Sequence, residues 1–184
     1  LDSWSIVPDF TLSSTRSSFF LKERNFLGTG HEFENSYTKD LAAGGSDGFS
    51  TYYTVPNIMN TFIRTRVGYE IDLNRSYTKS LNVERPFFSP YARWAAGMEF
   101  TQHYENIIPL DAPDAEVGLD SKFNSEDFWG GHSIQIFKGN TEATRATNFI
   151  TTARFFNKQY IDKPIGVDSL GIYSIEKLYL IGLG

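Results

Sequence analysis

Hydrophobic and polar residues alternate along most of this chain. In residues 62–74, FIRTRVGYEIDLN, Ile63, Val67, Tyr69, Ile71 and Leu73 hold odd positions, while Arg64, Arg66, Glu70 and Asp72 hold even ones. Successive side chains of a strand point to opposite faces, so this segment has one apolar face and one charged face. The same period of two recurs. Residues 4–12 set Trp4, Ile6, Phe10 and Leu12 against Ser5, Asp9 and Thr11. Residues 31–41 set Phe33 and Tyr37 against Glu32, Glu34 and Thr38, and residues 91–104 set Trp94, Met98, Phe100 and Tyr104 against Arg93, Glu99 and Thr101. Further strands are expected at 18–26, 49–55, 77–85, 127–137, 145–160 and 176–184. No segment carries helical periodicity, so the expected fold is all-β, an antiparallel up-and-down meander of about ten strands.

Punctuation supports a meander. Short turns are expected at GTG (28–30), PNIMNT (56–61) and PFFSP (86–90), and longer connections at 42–48, 105–119 and 162–171. Short turns at one end of a meander and long loops at the other are the habit of outer-membrane barrels. Pro8 has no ladder donor, which places residues 4–12 at an edge or a weakly paired position. No composition break divides the 184 residues, so 1–184 is read as a single domain. The first residues, LDSWSIVPDF, are already patterned as a strand, and the chain is expected to be part of a longer barrel protein.

Composition narrows the function classes. Aromatic residues make up 16% of the chain, which together with abundant Thr and Ser favours strands. A net charge of -5 and the lack of a basic cluster speak against nucleic acid as a partner. With 0 Cys, disulfides, thiolate metal sites and cysteine nucleophiles are excluded. No apolar run approaches the ~20 residues of a membrane helix. That excludes helical spans only, because barrel strands carry a weaker signal.

Alternation alone does not say whether the apolar face meets a protein core or lipid. A soluble barrel or sandwich turns it inward; a membrane barrel turns it outward, around a polar lumen. Three features favour lipid. Several strands match the ~9–11 residues of a tilted membrane strand. Aromatics such as Trp4, Phe26, Tyr69, Tyr91, Trp129 and Tyr160 recur near strand ends, where an interfacial girdle sits. The polar faces mix Arg, Glu, Thr and Asn, with Arg64, Arg66, Glu70, Asp72, Arg93 and Glu99 expected in a hydrated lumen. The alternative is a soluble β-barrel or sandwich that binds an apolar ligand.

No catalytic constellation stands out. His31, His103 and His132 are scattered; His103 and Glu105 share a face at i, i+2, but no third metal ligand accompanies them. There is no nucleophile elbow, no HExxH and no phosphate loop, and GTG at 28–30 precedes a strand rather than a helix. No enzyme activity, cofactor or metal is expected.

The run RNFLGTGHEFENSYTK (24–39), followed by YYTVPNIM (52–59), resembles the start of the barrel of the outer-membrane assembly-factor superfamily, the BamA/TamA type also called bacterial surface antigen. Arg24, Asn25, Leu27, Gly28, Gly30 and Pro56 match the family's turn pattern. The resemblance implies the first ten or so strands of a barrel of about sixteen. It also implies a bacterial outer-membrane location, with the lipid bilayer, outer-membrane protein substrates and accessory subunits as partners. Function would then be the insertion or translocation of outer-membrane proteins at a lateral seam on the first strand, here Trp4, Ile6, Pro8, Phe10 and Leu12. A secretion transporter, or the anchor of a fused passenger, is a related alternative. Two family features, the POTRA domains and an Arg-Gly-Phe loop motif, are not among these residues.

Overall fold

In the computed structural model the described residues are 5–42, 45–106, 120–136, 148–163 and 176–183. They form one antiparallel sheet of ten strands in chain order. The strands are β1 (Ile6–Leu12), β2 (Arg16–Phe26), β3 (His31–Asp40), β4 (Asp47–Val55), β5 (Arg64–Ile71), β6 (Tyr77–Arg85), β7 (Trp94–Glu105), β8 (Ser121–Gln135), β9 (Asn148–Asp162) and β10 (Glu176–Leu183). The expected all-β antiparallel up-and-down architecture is therefore present. The sheet is open: among the described residues β1 pairs only with β2 and β10 only with β9. No helix among them is long and apolar enough to cross a membrane, which says nothing of strands.

Strand positions follow the alternation closely at Tyr77–Arg85 and less closely elsewhere. β8 starts at Ser121, six residues before the expected 127, because Phe123 is the one apolar residue among 121–126 and a single apolar position carries no period-two signal. The expected separation of short from long connections is only partial. β8 ends and β9 begins at the same end of the sheet as the tight 27–30 turn, with twelve residues of sequence between them. That turn is built by the family-like motif. The Asn25 side-chain oxygen accepts the Gly30 amide at 2.7 Å, the Asn25 carbonyl accepts the Gly28 amide at 2.8 Å, and Gly28 and Gly30 hold φ of 76° and 74°. Only glycine takes such angles without steric cost. Residues 107–119, 137–147 and 164–175, and Trp4 at the seam position, lie outside the described residues.

The register sorts the side chains into two faces. One row on the first face runs Phe33, Tyr53, Val67, Leu81, Phe100 across β3 to β7. The row behind it, on the opposite face, runs Glu34, Tyr52, Gly68, Ser80, Thr101. The only buried hydrophobic residues among those described are Ala92, 6% exposed, and Ala95, 3% exposed. The large apolar side chains are not stacked in a dry interior; Val67 is 50% exposed and Phe10 65%.

Candidate functional site

The apolar face carries a belt that crosses the sheet diagonally. On β1 the outward apolar residues are Ile6, Pro8, Phe10 and Leu12. A row that is apolar from β3 to β7 turns polar at β8 to β10: Phe100 lies opposite Glu126, Glu126 opposite Asn157 and Asn157 opposite Lys177. The next row toward the β1–β2 turn likewise becomes Gln102, Asn124 and Gln159. On β8 to β10 the apolar residues have moved the other way along the strands, to Phe128, Phe155 and Tyr179, and beyond them to Ile134 and Phe149. From β1 to β9 the belt drifts by about one residue per strand. With a rise of ~3.3 Å per residue and strands ~4.8 Å apart, that equals a tilt of roughly 35°.

Aromatic residues line the belt. Tyr77 stacks on Tyr104 at 5.2 Å, Phe100 meets Phe128 edge-on at 5.5 Å, and Phe155 meets Tyr179 at 5.0 Å. At one margin Trp94 packs on His132 at 4.1 Å, and Phe62 stacks on Phe88 at 3.9 Å. Ring pairs at these spacings add ~0.5–1.5 kcal/mol beyond the area they cover.

The polar face is a charged and crowded surface. Lys22 reaches Glu34 at 2.5 Å and Glu32 at 3.3 Å, and Glu34 also meets Arg66 at 3.4 Å across β4. Arg66 lies 4.3 Å over the Tyr52 ring, whose hydroxyl donates to Glu70 at 2.7 Å. On the far strands Arg154 grips Asp127 through Nε and Nη2. Glycines make room here: a Cβ at Gly68 would lie 2.6 Å from the Tyr52 ring, and one at Gly97 would overlap the Trp129 indole. On the apolar face a Cβ at Gly130 would meet nothing within 4 Å. Side chains thus converge on the polar face and diverge on the apolar one, as on a sheet curved toward its polar side.

Of the expected lumen residues, Arg64, Arg66, Glu70 and Glu99 share the polar face. Asp72 does not join an ion pair. Its carboxylate accepts the amides of Asn74 and Ser76 at 2.8 and 2.9 Å and closes the β5–β6 turn. Arg93 is exposed just before β7, where its carbonyl accepts the Ser133 amide at 2.8 Å. The acid that Arg66 meets, Glu34, sits thirty-two residues away, a pairing that register reveals and alternation does not. His103 bonds Thr78 at 2.8 Å and His31 bonds Tyr53 at 2.5 Å. No group of His, Cys, Asp and Glu among the described residues could hold a metal.

At the open edge, the ladder fixes where β1 aims its amides. Ser5 and Arg24 bond, as do Ser13 and Arg16, and the pairs between them alternate. In an antiparallel pair only every second residue bonds its partner. Val7, Asp9 and Thr11 therefore face β2, while Ile6, Pro8, Phe10 and Leu12 turn their backbone groups to the free edge. The missing N–H of Pro8 is lost from that edge and not from the β1–β2 ladder.

Fold and faces together define an all-β, up-and-down sheet with one exposed apolar face and an opposite face that is charged from β3 to β7 and mixed at β9 and β10, where it carries Phe156, Leu178 and Leu180. Neither a protein-family model nor a curated protein sequence matches the chain.

Proposed function

We propose that this chain forms wall strands of a transmembrane β-barrel in the bacterial outer membrane. In this reading the barrel acts without covalent chemistry in the insertion or translocation of outer-membrane proteins, and β1 receives incoming strands. The observation that carries the bilayer part is the diagonal belt. A slab of lipid selects residues by depth, so tilted strands expose their apolar residues in a band that slides along each successive strand. A roughly 35° slide lies at the lower end of the ~35–45° tilt of such barrels. A soluble barrel tilts its strands as well, but it packs its apolar side chains on the converging inner face, whereas here they lie on the diverging face. Convergence of the charged side chains on the opposite face supports a wet lumen there.

The assembly role is supported by the family-like turn motif at Arg24 to Gly30 and by the free edge of β1. An extended partner adds to such an edge through main-chain hydrogen bonds, so the interaction tolerates many sequences.

Cysteine accessibility tests both parts. In lipid vesicles, Val67→Cys and Phe128→Cys should resist a water-soluble maleimide, while Arg66→Cys and Glu99→Cys should react. If Val67→Cys reacts as fast as Arg66→Cys, the bilayer reading fails. A monodisperse monomer without detergent would instead support the soluble, apolar-ligand-binding protein. For the seam, Phe10→Cys should cross-link to a cysteine on an outer-membrane protein caught during assembly. Intact insertion without that cross-link would leave an anchor or transporter barrel.

A further inference from the structure

The apolar face contains a trench, of about 780 Å³, across β6 to β10. Its floor is Ala96, Gly130 and Ala153, directly opposite one another on β7, β8 and β9. Met98, Phe128 and Phe155 form one wall, and Trp94 and His132 stand on the other side. Small residues on three consecutive strands leave a channel between bulky rows, and the space above Gly130 is open.

The two ends of this row differ. On β6 it ends at Arg85, opposite Ala96; on β10 it ends at Ile181, opposite Ala153. The Arg85 Nε donates to the Thr61 carbonyl at 3.3 Å and Nη1 to the Trp94 carbonyl at 2.5 Å, and the guanidinium lies 4.6 Å over Phe88. Both partners are neutral. Among the described residues no carboxylate pairs with Arg85 and Nη2 has no acceptor. Its neighbour Glu84 is on the polar face, opposite Arg64.

Depth follows from the slide of the belt. Arg85 sits just past the apolar run of β6, at the belt margin, whereas Ile181 sits between Tyr179 and Leu183, mid-belt on β10. Four strand steps at about one residue each carry the trench roughly 10 Å deeper, within the ~15 Å half-thickness of a hydrocarbon core.

We propose that this trench binds a phospholipid with an anionic headgroup, its phosphate on Arg85 and one acyl chain along Ala96, Gly130 and Ala153 toward Ile181. The planar guanidinium fork suits phosphate oxygens. Its charge, uncompensated by any carboxylate, favours phosphatidylglycerol over the zwitterionic phosphatidylcholine. This assignment rests on the bilayer reading.

Brominated acyl chains quench tryptophan at contact, and Trp94 holds the next position beside Ala96 on the same face of β7, one row from the trench floor. The full chain with W4F/W129F, in phosphatidylcholine vesicles, would be titrated with dibrominated phosphatidylglycerol or dibrominated phosphatidylcholine. Trp94 should show an apparent preference for the anionic lipid of about fivefold, the worth of one basic residue near a membrane surface. R85Q should abolish the preference, and Ala153→Phe should weaken quenching by both lipids. Equal quenching by the two lipids, or a preference that survives R85Q, overturns the proposal and leaves the bilayer reading intact. No quenching by either lipid at any mole fraction overturns both. If W4F/W129F does not insert, the unsubstituted chain and R85Q give the same comparison of preferences.

Discussion

Gly97 on β7 lies against the indole of Trp129 on β8, in the space its own Cβ would fill. The two are register partners on the polar face, so a methyl added at Gly97 would have to displace the ring. Gly97→Ala should destabilise the protein by about 1–3 kcal/mol, as overpacking does elsewhere. Gly130→Ala, on the open apolar face, should be close to neutral. Urea unfolding midpoints of the two variants in the same detergent check the difference.

The slide of the belt makes residues of neighbouring rows unequal. Leu81→Arg, inside the belt on β6, should cost roughly 2–4 kcal/mol in a bilayer. Asn124→Arg is only one row away but lies beyond the belt on β8, and it should cost about 0–1 kcal/mol. Unfolding from lipid vesicles measures both. Equal penalties would mean a belt that does not slide.

Glu34 bridges Lys22 and Arg66. Glu34→Gln would leave two cations with Glu32, 3.3 Å from Lys22, as the remaining acid. A loss of about 1 kcal/mol is expected, because the pairs are partly solvated. A double-mutant cycle with Arg66→Met should give a coupling of about 0.5 kcal/mol. It should shrink when salt rises from ~0.1 to ~1 M and the screening length falls from ~10 to ~3 Å.

Pro8→Ala adds an N–H that points away from β2. The β1–β2 ladder should keep its stability to within about 0.5 kcal/mol. The amide gained at this position should exchange with solvent as fast as those of Ile6 and Phe10, while Val7 and Asp9 stay protected. Hydrogen exchange resolved by residue checks this, and protection of the new amide would mean that another strand covers the edge.

Several elements are legible in the residues alone. The alternation in 77–85 locates β6 end to end, Asn25 with Gly28 and Gly30 marks a turn, and the odd and even positions of 64–71 occupy the two faces that their parity assigns. β8 is less legible, since Phe123 is the one apolar residue among its first six and sets no period. Alternation puts Asp72 among the lumen charges, whereas its carboxylate is engaged by the backbone of its own turn.

What the sequence determines by itself is the period of each strand, and hence that the chain is an all-β meander with one apolar and one charged face. That information is local, because a residue's side of the pleat depends only on its parity. Register is a relation between strands, set by backbone pairing, and the tertiary structure alone supplied it. Register slides the apolar belt across the sheet, joins Glu34 to Arg66 over β4, lines up Ala96, Gly130 and Ala153 into one trench, and turns the missing donor of Pro8 toward the open edge.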